Sequence, residues 1–218
     1  MMLIYLALCI LLQFLVEVKS QKTTFKPDLR FAHTATFVND NLYILGGAIP
    51  PGDVKSPKET FMYLDVSASF NTNELKWIDL SNNIVPPHVY SAAVKGGANN
   101  DTLFLYGGEN LNGQAMDLVY TFNTQSNAWS VPKITGIPPS GKVGITFIID
   151  NGLIYIFGGA TTVYFNDMFI LDSINLSWKK ASSIGAPSPR VQYGAVFLPN
   201  KNIIYIGTYI ILNNIRIS

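Results

Sequence analysis

Cysteine, histidine and charge are all scarce in this chain of 218 residues. The single cysteine is Cys9, and the two histidines are His33 and His88. Charged residues make up 13% of the chain, and the formal net charge is +1. So few thiol and imidazole groups exclude a zinc site of the usual Cys and His composition, and a nucleic-acid surface needs clustered Lys and Arg. We therefore expect no metal, no cofactor and no nucleic-acid partner.

Short catalytic motifs are missing as well. There is no Gly-x-Ser-x-Gly elbow, and the glycine-rich run at residues 95–98 lacks the Lys-Ser ending of a phosphate-binding loop. Carboxylates are scattered singly, so the sequence offers no paired acid and base. We therefore predict that the protein is not an enzyme and has no catalytic residues.

The N-terminal segment differs from the rest of the chain. Residues 3–12 form an unbroken apolar run, and Val18 and Ser20 suit the −3 and −1 positions of a cleavage site. This pattern predicts a signal peptide over residues 1–20 and a secreted, extracellular chain over residues 21–218. The alternative is a membrane anchor formed by residues 3–16, although that run is short of the roughly 20 residues of a spanning helix. Without such an anchor we expect no membrane span.

Two glycosylation sequons fit the secretory interpretation. Asn100 begins the triplet Asn-Asp-Thr, and Asn175 begins the triplet Asn-Leu-Ser. Both lie in turn-like stretches between apolar runs. We therefore treat Asn100 and Asn175 as candidate acceptors of N-linked glycan.

Glycine and aromatic residues are what the chain has in quantity, and they recur in order. Apolar runs end in Gly46-Gly47, Gly107-Gly108, Gly158-Gly159 and Gly207-Thr208, and the first glycines are 61, 51 and 49 residues apart. A further apolar run and a tryptophan follow each of the first three: Trp77, Trp129 and Trp178. Such a period predicts a repeat architecture in which each unit packs on its neighbours.

These motifs resemble the kelch repeat family over most of the chain. The resemblance implies an all-β, kelch-type β-propeller with four-stranded blades. In it the glycines let the backbone turn and approach a neighbour, and the tryptophans pack between blades. The repeat units cover about residues 30–80, 88–131, 142–180 and 190–208. The fourth lacks the second glycine and the tryptophan, so we expect about three and a half blades and an incomplete ring.

An incomplete ring leaves apolar blade faces in water. A four-stranded face measures roughly 300 Å², and at about 25 cal/mol/Å² leaving it wet forgoes roughly 7 kcal/mol. We expect one of three outcomes: the chain is a truncated version of a longer protein, it self-associates through the open blade faces, or it closes unusually tightly.

The function that this architecture implies is non-catalytic binding. Loops on a propeller face would bind a protein or a glycan partner, and the loops that carry insertions are residues 48–58, 66–74, 95–100 and 109–114. A basic residue or histidine precedes the first strand of each unit, and we expect these residues to cap loop carbonyls: Arg30, His88, Lys142 and Arg190.

Two alternative functions stay open. One is a membrane-anchored kelch ectodomain. The other is a remnant of an enzyme similar to galactose oxidase, whose secreted kelch propeller carries copper. That chemistry needs a cysteine-linked tyrosine and several histidine ligands, and residues 21–218 hold no cysteine and only His33 and His88.

Overall fold

The structure is a computed structural model that describes residues 25–50, 55–81, 84–211 and 214–216. The predicted signal peptide lies outside these ranges. The described residues form an all-β architecture. Its strands are, in chain order, β1 (Phe31–Val38), β2 (Asn41–Ala48), β3 (Phe61–Asp65), β4 (Trp77–Asp79), β5 (His88–Val89), β6 (Ala92–Gly96), β7 (Thr102–Tyr106), β8 (Glu109–Asn110), β9 (Tyr120–Asn123), β10 (Ala128–Ser130), β11 (Phe147–Asp150), β12 (Leu153–Phe157), β13 (Met168–Asp172), β14 (Ser177–Lys180), β15 (Arg190–Phe197), β16 (Ile203–Ile211) and β17 (Asn214–Arg216).

Most of these strands pair into antiparallel sheets that follow the repeat. Blade I is β1-β2-β3-β4, blade II is β6-β7-β9-β10 and blade III is β11-β12-β13-β14. Sheet IV is β15-β16-β17, and β5 and β8 form a separate two-stranded ribbon. The third strand of sheet IV lies beyond residue 208, where we ended the fourth unit, because neither a glycine pair nor a tryptophan marks it.

Tight hairpins join the first two strands of blades I and III. In blade I, Asn39 and Asp40 have φ of 47° and 61°, and in blade III, Asn151 and Gly152 have φ of 49° and 79°. Positive φ at both central residues is the requirement of the type I′ turn, which Asn, Asp and Gly meet most easily. These turns fix the register so that Val38 pairs with Asn41 and Asp150 with Leu153.

The first strand of each sheet lies beside the first strand of the next. Strand β1 packs next to β6, β6 next to β11, and β11 next to β15. Side-chain hydroxyls link them: Thr36 donates to Ala93 O at 3.1 Å, and Thr146 donates to Tyr193 O. The sheets are therefore arranged as propeller blades around an axis lined by their first strands.

Two apolar layers fill the spaces between blades. Trp129 of blade II packs on Phe61 of blade I with the ring centroids 5.1 Å apart, and both are buried. Trp178 of blade III packs in the same way on Tyr106 of blade II at 5.7 Å. Each of these tryptophans therefore contacts the preceding blade. Trp77 is half-buried on blade I and forms a β-bridge with Phe25.

The described sheets form an open arc, since no described strand of sheet IV contacts blade I. On sheet IV, the face turned away from blade III exposes apolar side chains: Val196, Ile204 and Ile206. On blade I, the face turned away from blade II is largely buried instead: Ile44, Met62 and Leu64 are all covered. The expectation of wet apolar faces therefore describes sheet IV and not most of blade I.

The second and third glycine pairs each donate a backbone hydrogen bond to the next unit, whereas Gly46 N donates to Thr60 O within blade I. All six glycines of the three pairs have φ between 64° and 93°. Gly108 N donates to Lys142 O at 2.7 Å, and Gly159 N donates to Arg190 O at 3.0 Å. A Cβ on Gly107 would lie 2.5 Å from Lys142 O, so a larger residue would push the next linker away.

Connections alternate between the two ends of each blade, because every pairing within a blade is antiparallel. We call the end that carries the glycine pairs and the linkers between blades the upper face. The opposite end, which carries the β1–β2 and β3–β4 hairpins and their counterparts, is the lower face.

A pair of alanine substitutions separates backbone strain from steric crowding within the second repeat unit. Gly108 and Gly113 have nearly the same φ, 75° and 76°, but a Cβ on Gly108 would lie 2.6 Å from Ser91 N, whereas Gly113 has nothing within 4 Å. We expect Gly108→Ala to lower the free energy of unfolding by about 3 kcal/mol and Gly113→Ala by about 1 kcal/mol. Urea unfolding measures both, and equal losses would contradict the crowding of Gly108 by Val89 and Ser91.

Candidate functional site

Three linkers run across the upper face, from the outer strand of one blade to the first strand of the next. Within them, residues 84–87, 134–141 and 181–189 contain no charged side chain. Each linker also contains proline. These stretches therefore contribute no charge to the upper face.

Basic side chains at the linker ends turn into the protein and hold carbonyl groups. Arg30 Nη1 donates to Glu59 O at 2.7 Å. His88 Nδ1 lies 2.9 Å from Pro86 O, and Arg190 Nε donates to Ser188 O at 3.3 Å. At these three positions the structure shows the carbonyl capping that we expected.

Lys142 behaves differently, since it is fully buried and paired with the carboxylate of Asp167. Its Nζ also lies 4.5 Å from the ring centroid of Phe165 and 5.3 Å from that of Phe169. Burial lowers the pKa of Lys142, and the hydrogen bond to Asp167 opposes that change. The pair anchors the linker between blades II and III to the loop that precedes β13.

A chain of left-handed residues connects the linkers near the axis. Ala32, Tyr90, Gly144 and Gln192 each lie two residues after the capping position, with φ of 56°, 57°, 67° and 50°. Tyr90 N donates to Ala32 O at 3.0 Å, Gly144 N to Tyr90 O at 3.1 Å, and Gln192 N to Gly144 O at 2.7 Å. We did not predict this chain from the sequence.

Tyr106 fixes the middle of one linker. Its hydroxyl lies 3.1 Å from Pro139 O and 2.7 Å from Ser140 O. Burial raises the pKa of Tyr106, so the hydroxyl keeps the proton that it donates. The linker between blades II and III is therefore held at both its middle and its end.

Each linker exposes one isoleucine. The exposed fractions are 53% for Ile84, 82% for Ile137 and 95% for Ile184. Because all three linkers cross the same end of the blades, these side chains belong to the upper face. We call this set the isoleucine edge. The signal was present in the sequence as an isoleucine shortly before a proline in each linker.

The insertion loops divide between the two faces. By connectivity, residues 109–114 and the described parts of the first insertion, residues 48–50 and 55–58, lie on the upper face, and residues 66–74 and 95–100 lie on the lower. They therefore do not make the single loop-bearing surface that we expected. Counting the strands before each insertion would have separated them.

The lower face of blade I has two clefts around its β3–β4 loop. One, of about 370 Å³, is lined by residues that include Leu64, Phe70 and Lys76. The other, of about 640 Å³, includes Phe25 and Trp77, and Glu74 lines both. Their walls come from blade I and the segment before it, whereas the isoleucine edge draws on every linker.

Both candidate glycosylation sites are exposed in hairpins of the lower face. Asn100 has φ of 53° in the β6–β7 turn. Asn175 lies in the β13–β14 turn, where its Nδ2 donates to Asp172 Oδ2 at 2.8 Å.

The two histidines do not approach a metal-binding arrangement. His33 is exposed on β1, and His88 is buried at the blade I–II junction. Within the described ranges no group of three or more His, Cys, Asp or Glu side chains is placed to hold an ion. The described residues also contain no helix of the length and apolarity that crossing a membrane requires.

Four-stranded antiparallel blades joined at paired glycines define this class of protein as a β-propeller. The sequence profile of the KLHDC2/KLHL20/DRC7 Kelch-repeats domain matches residues 19–215. The chain belongs to the kelch-repeat family.

Curated relatives carry the same repeat. The chain is 29% identical over 196 residues to Kelch domain-containing protein 3 of Rattus norvegicus, an alignment that covers 82% of this chain and 48% of that protein. It is 27% identical over 176 residues to the protein of that name in Homo sapiens, covering 73% and 43%. It is 29% identical over 199 residues to Kelch repeat-containing protein 2 of Saccharomyces cerevisiae, covering 83% and 22%.

The chain therefore spans about half the length of the Kelch domain-containing protein 3 relatives. Kelch-repeat domains are in general non-enzymatic modules for protein interaction. This agrees with the interaction role that we predicted from the sequence at that general level.

Two lysine substitutions test whether the buried ion pair holds the upper face together. Lys142→Met leaves the Asp167 carboxylate without its cation, and we expect a loss of about 3 kcal/mol in the free energy of unfolding. Lys201→Met is the control, because Lys201 forms an exposed pair with Asp150 and should cost less than about 1 kcal/mol. The double variant Lys142→Met/Asp167→Asn should recover part of the loss. A wild-type stability for Lys142→Met, measured by urea unfolding, would contradict the role of the pair.

Proposed function

We propose that this protein is a secreted, non-catalytic module that binds a protein partner through the isoleucine edge of its upper face. The observation that carries the proposal is one exposed isoleucine in each of three successive linkers, within stretches that have no charge. The exposed isoleucine therefore recurs once per linker, with the same period as the blades.

The composition of the edge favours a protein contact. The buried centre of a protein interface is depleted of charged residues and relies on apolar packing. Isoleucine and proline offer such packing. A glycan presents many hydroxyl groups, and burying hydroxyls without hydrogen-bond partners costs free energy. We therefore favour a protein over a glycan as the partner.

The backbone beneath the edge is held in place before any partner arrives. The left-handed chain joins neighbouring linkers, and Tyr106 and Lys142 fix the linker that carries Ile137. A surface that is already ordered loses less conformational entropy on binding. This preorganisation supports a binding role.

The arrangement of the basic groups supports a function without catalysis. Arg30, His88 and Arg190 are engaged with carbonyl groups and Lys142 with a carboxylate. General acid–base chemistry needs a group within reach of the proton it transfers. The linkers instead present apolar side chains to a partner.

Secretion and N-linked glycosylation are compatible with binding through the isoleucine edge. The apolar run at residues 3–12 and the two sequons are the basis for proposing both. Because Asn100 and Asn175 lie on lower-face hairpins, glycan attached there would leave the isoleucine edge uncovered.

Introducing negative charge into the isoleucine edge tests its role in binding. In Ile137→Asp/Ile184→Asp, both altered side chains are already solvated, so we expect a wild-type melting temperature. A carboxylate in an apolar contact must be desolvated, so binding of a partner should weaken at least tenfold. Cross-linking of secreted chain in conditioned medium, with quantitative mass spectrometry, measures the loss of each cross-linked protein.

The matched control is Ile174→Asp, because Ile174 is a half-exposed isoleucine of the lower face. A true partner stays cross-linked to this variant and is lost from the double variant. A set of cross-linked proteins that is the same for both variants would refute the proposal.

Processing of the leader is a separate prediction. Material secreted by expressing cells should begin at Gln21, and removal of N-linked glycan should reduce its mass. Asn100→Gln and Asn175→Gln should each remove one glycan. A chain that begins at Met1 and stays with the membrane fraction would favour the anchor formed by residues 3–16.

A further inference from the structure

Two buried polar nitrogens belong to residues at the junction of blades I and II. His88 is 2% exposed and Trp129 is 9% exposed, and neither His88 Nε2 nor Trp129 Nε1 has a hydrogen-bond partner in the protein. Both side chains line one small cavity of about 10 Å³. Buried polar atoms are nearly always hydrogen bonded, so two at one place call for an explanation.

The hydrogen bond on the other side of the His88 ring sets the character of Nε2. Nδ1 lies 2.9 Å from Pro86 O, and a carbonyl oxygen only accepts, so Nδ1 carries the proton. Burial lowers the pKa of His88, which keeps the ring neutral. Nε2 is then an acceptor, whereas the indole Nε1 of Trp129 is only a donor. The residues that line the cavity thus supply one unpartnered acceptor and one unpartnered donor.

The other cavity walls are mainly apolar. Leu45, Phe61, Val85 and Pro86 line it, and Thr60 is the one further residue with a side-chain hydroxyl. A buried water requires a volume of about 10–15 Å³ and two to four polar partners. One water accepts from an indole N–H and donates to an imidazole nitrogen, which matches the two unpartnered atoms.

We propose that this cavity is a binding site for a single internal water molecule, which accepts a hydrogen bond from Trp129 Nε1 and donates one to His88 Nε2. Blade I, the linker and the outer strand of blade II all contribute walls, so the water joins three parts of the propeller. The inference is independent of the proposed partner surface.

The direct test is nuclear magnetic resonance on the ¹⁵N-labelled wild-type chain. We expect a persistent cross-relaxation peak between water and the Trp129 indole proton. We also expect His88 Nε2 to resonate as an unprotonated nitrogen. Absence of the water peak, or a protonated Nε2, would overturn the proposal.

A matched pair of variants gives a second readout. Trp129→Phe removes the donor of the site, and Trp178→Phe makes the same change in blade III, where the indole nitrogen is not a buried unpartnered atom. If water bridges the site, Trp129→Phe loses a satisfied hydrogen bond and its melting temperature should fall about 2–4 °C further than that of Trp178→Phe. If the indole N–H is unsatisfied, removing it relieves a cost, and an equal or smaller fall would refute the water site.

Discussion

The propeller depends on backbone hydrogen bonds between successive repeat units, and the residues that make them have left-handed backbone conformations. At the end of the second strand, Gly108 and Gly159 present their N–H groups to the next linker, at Lys142 O and Arg190 O. A side chain at these pairs would occupy the space of that carbonyl or its neighbours. These hydrogen bonds help to position the linkers that follow blades II and III. The exposed isoleucines of those linkers are positioned with them. Packing of Trp129 and Trp178 on the preceding blade then closes the spaces further out.

The blade architecture could be predicted from sequence because the repeat is carried by residues with few substitutes. Paired glycines and a following tryptophan marked three four-stranded units, and the structure has blades I to III there. The left-handed chain could not be predicted in the same way, because Ala32, Tyr90 and Gln192 are not residues that favour positive φ. Gly144 alone carried a signal. The third strand of sheet IV lacked both markers.

The binding surface was less predictable than the fold, because it depends on which end of a blade each loop reaches. We predicted the binding surface from the insertion loops, but the alternating strand directions divide these loops between two faces. The short linkers, with Ile137 and Ile184 each shortly before a proline, combine exposure, neutrality and a backbone held by hydrogen bonds. Lys142 shows the opposite case: it resembles a surface cation in sequence, but Asp167, which lies 25 residues further along the chain, makes burial possible.

The left-handed chain also has a direction. Tyr90 donates to Ala32, Gly144 donates to Tyr90, and Gln192 donates to Gly144, so the start of each repeat unit bonds to the start of the unit before it. A ribosome synthesises these residues in the same order, and domains emerge from their N-terminal end first. Every acceptor is therefore synthesised before its donor. Each unit can therefore bond to the preceding unit during translation, because the carbonyl that accepts its backbone hydrogen bond has already been synthesised.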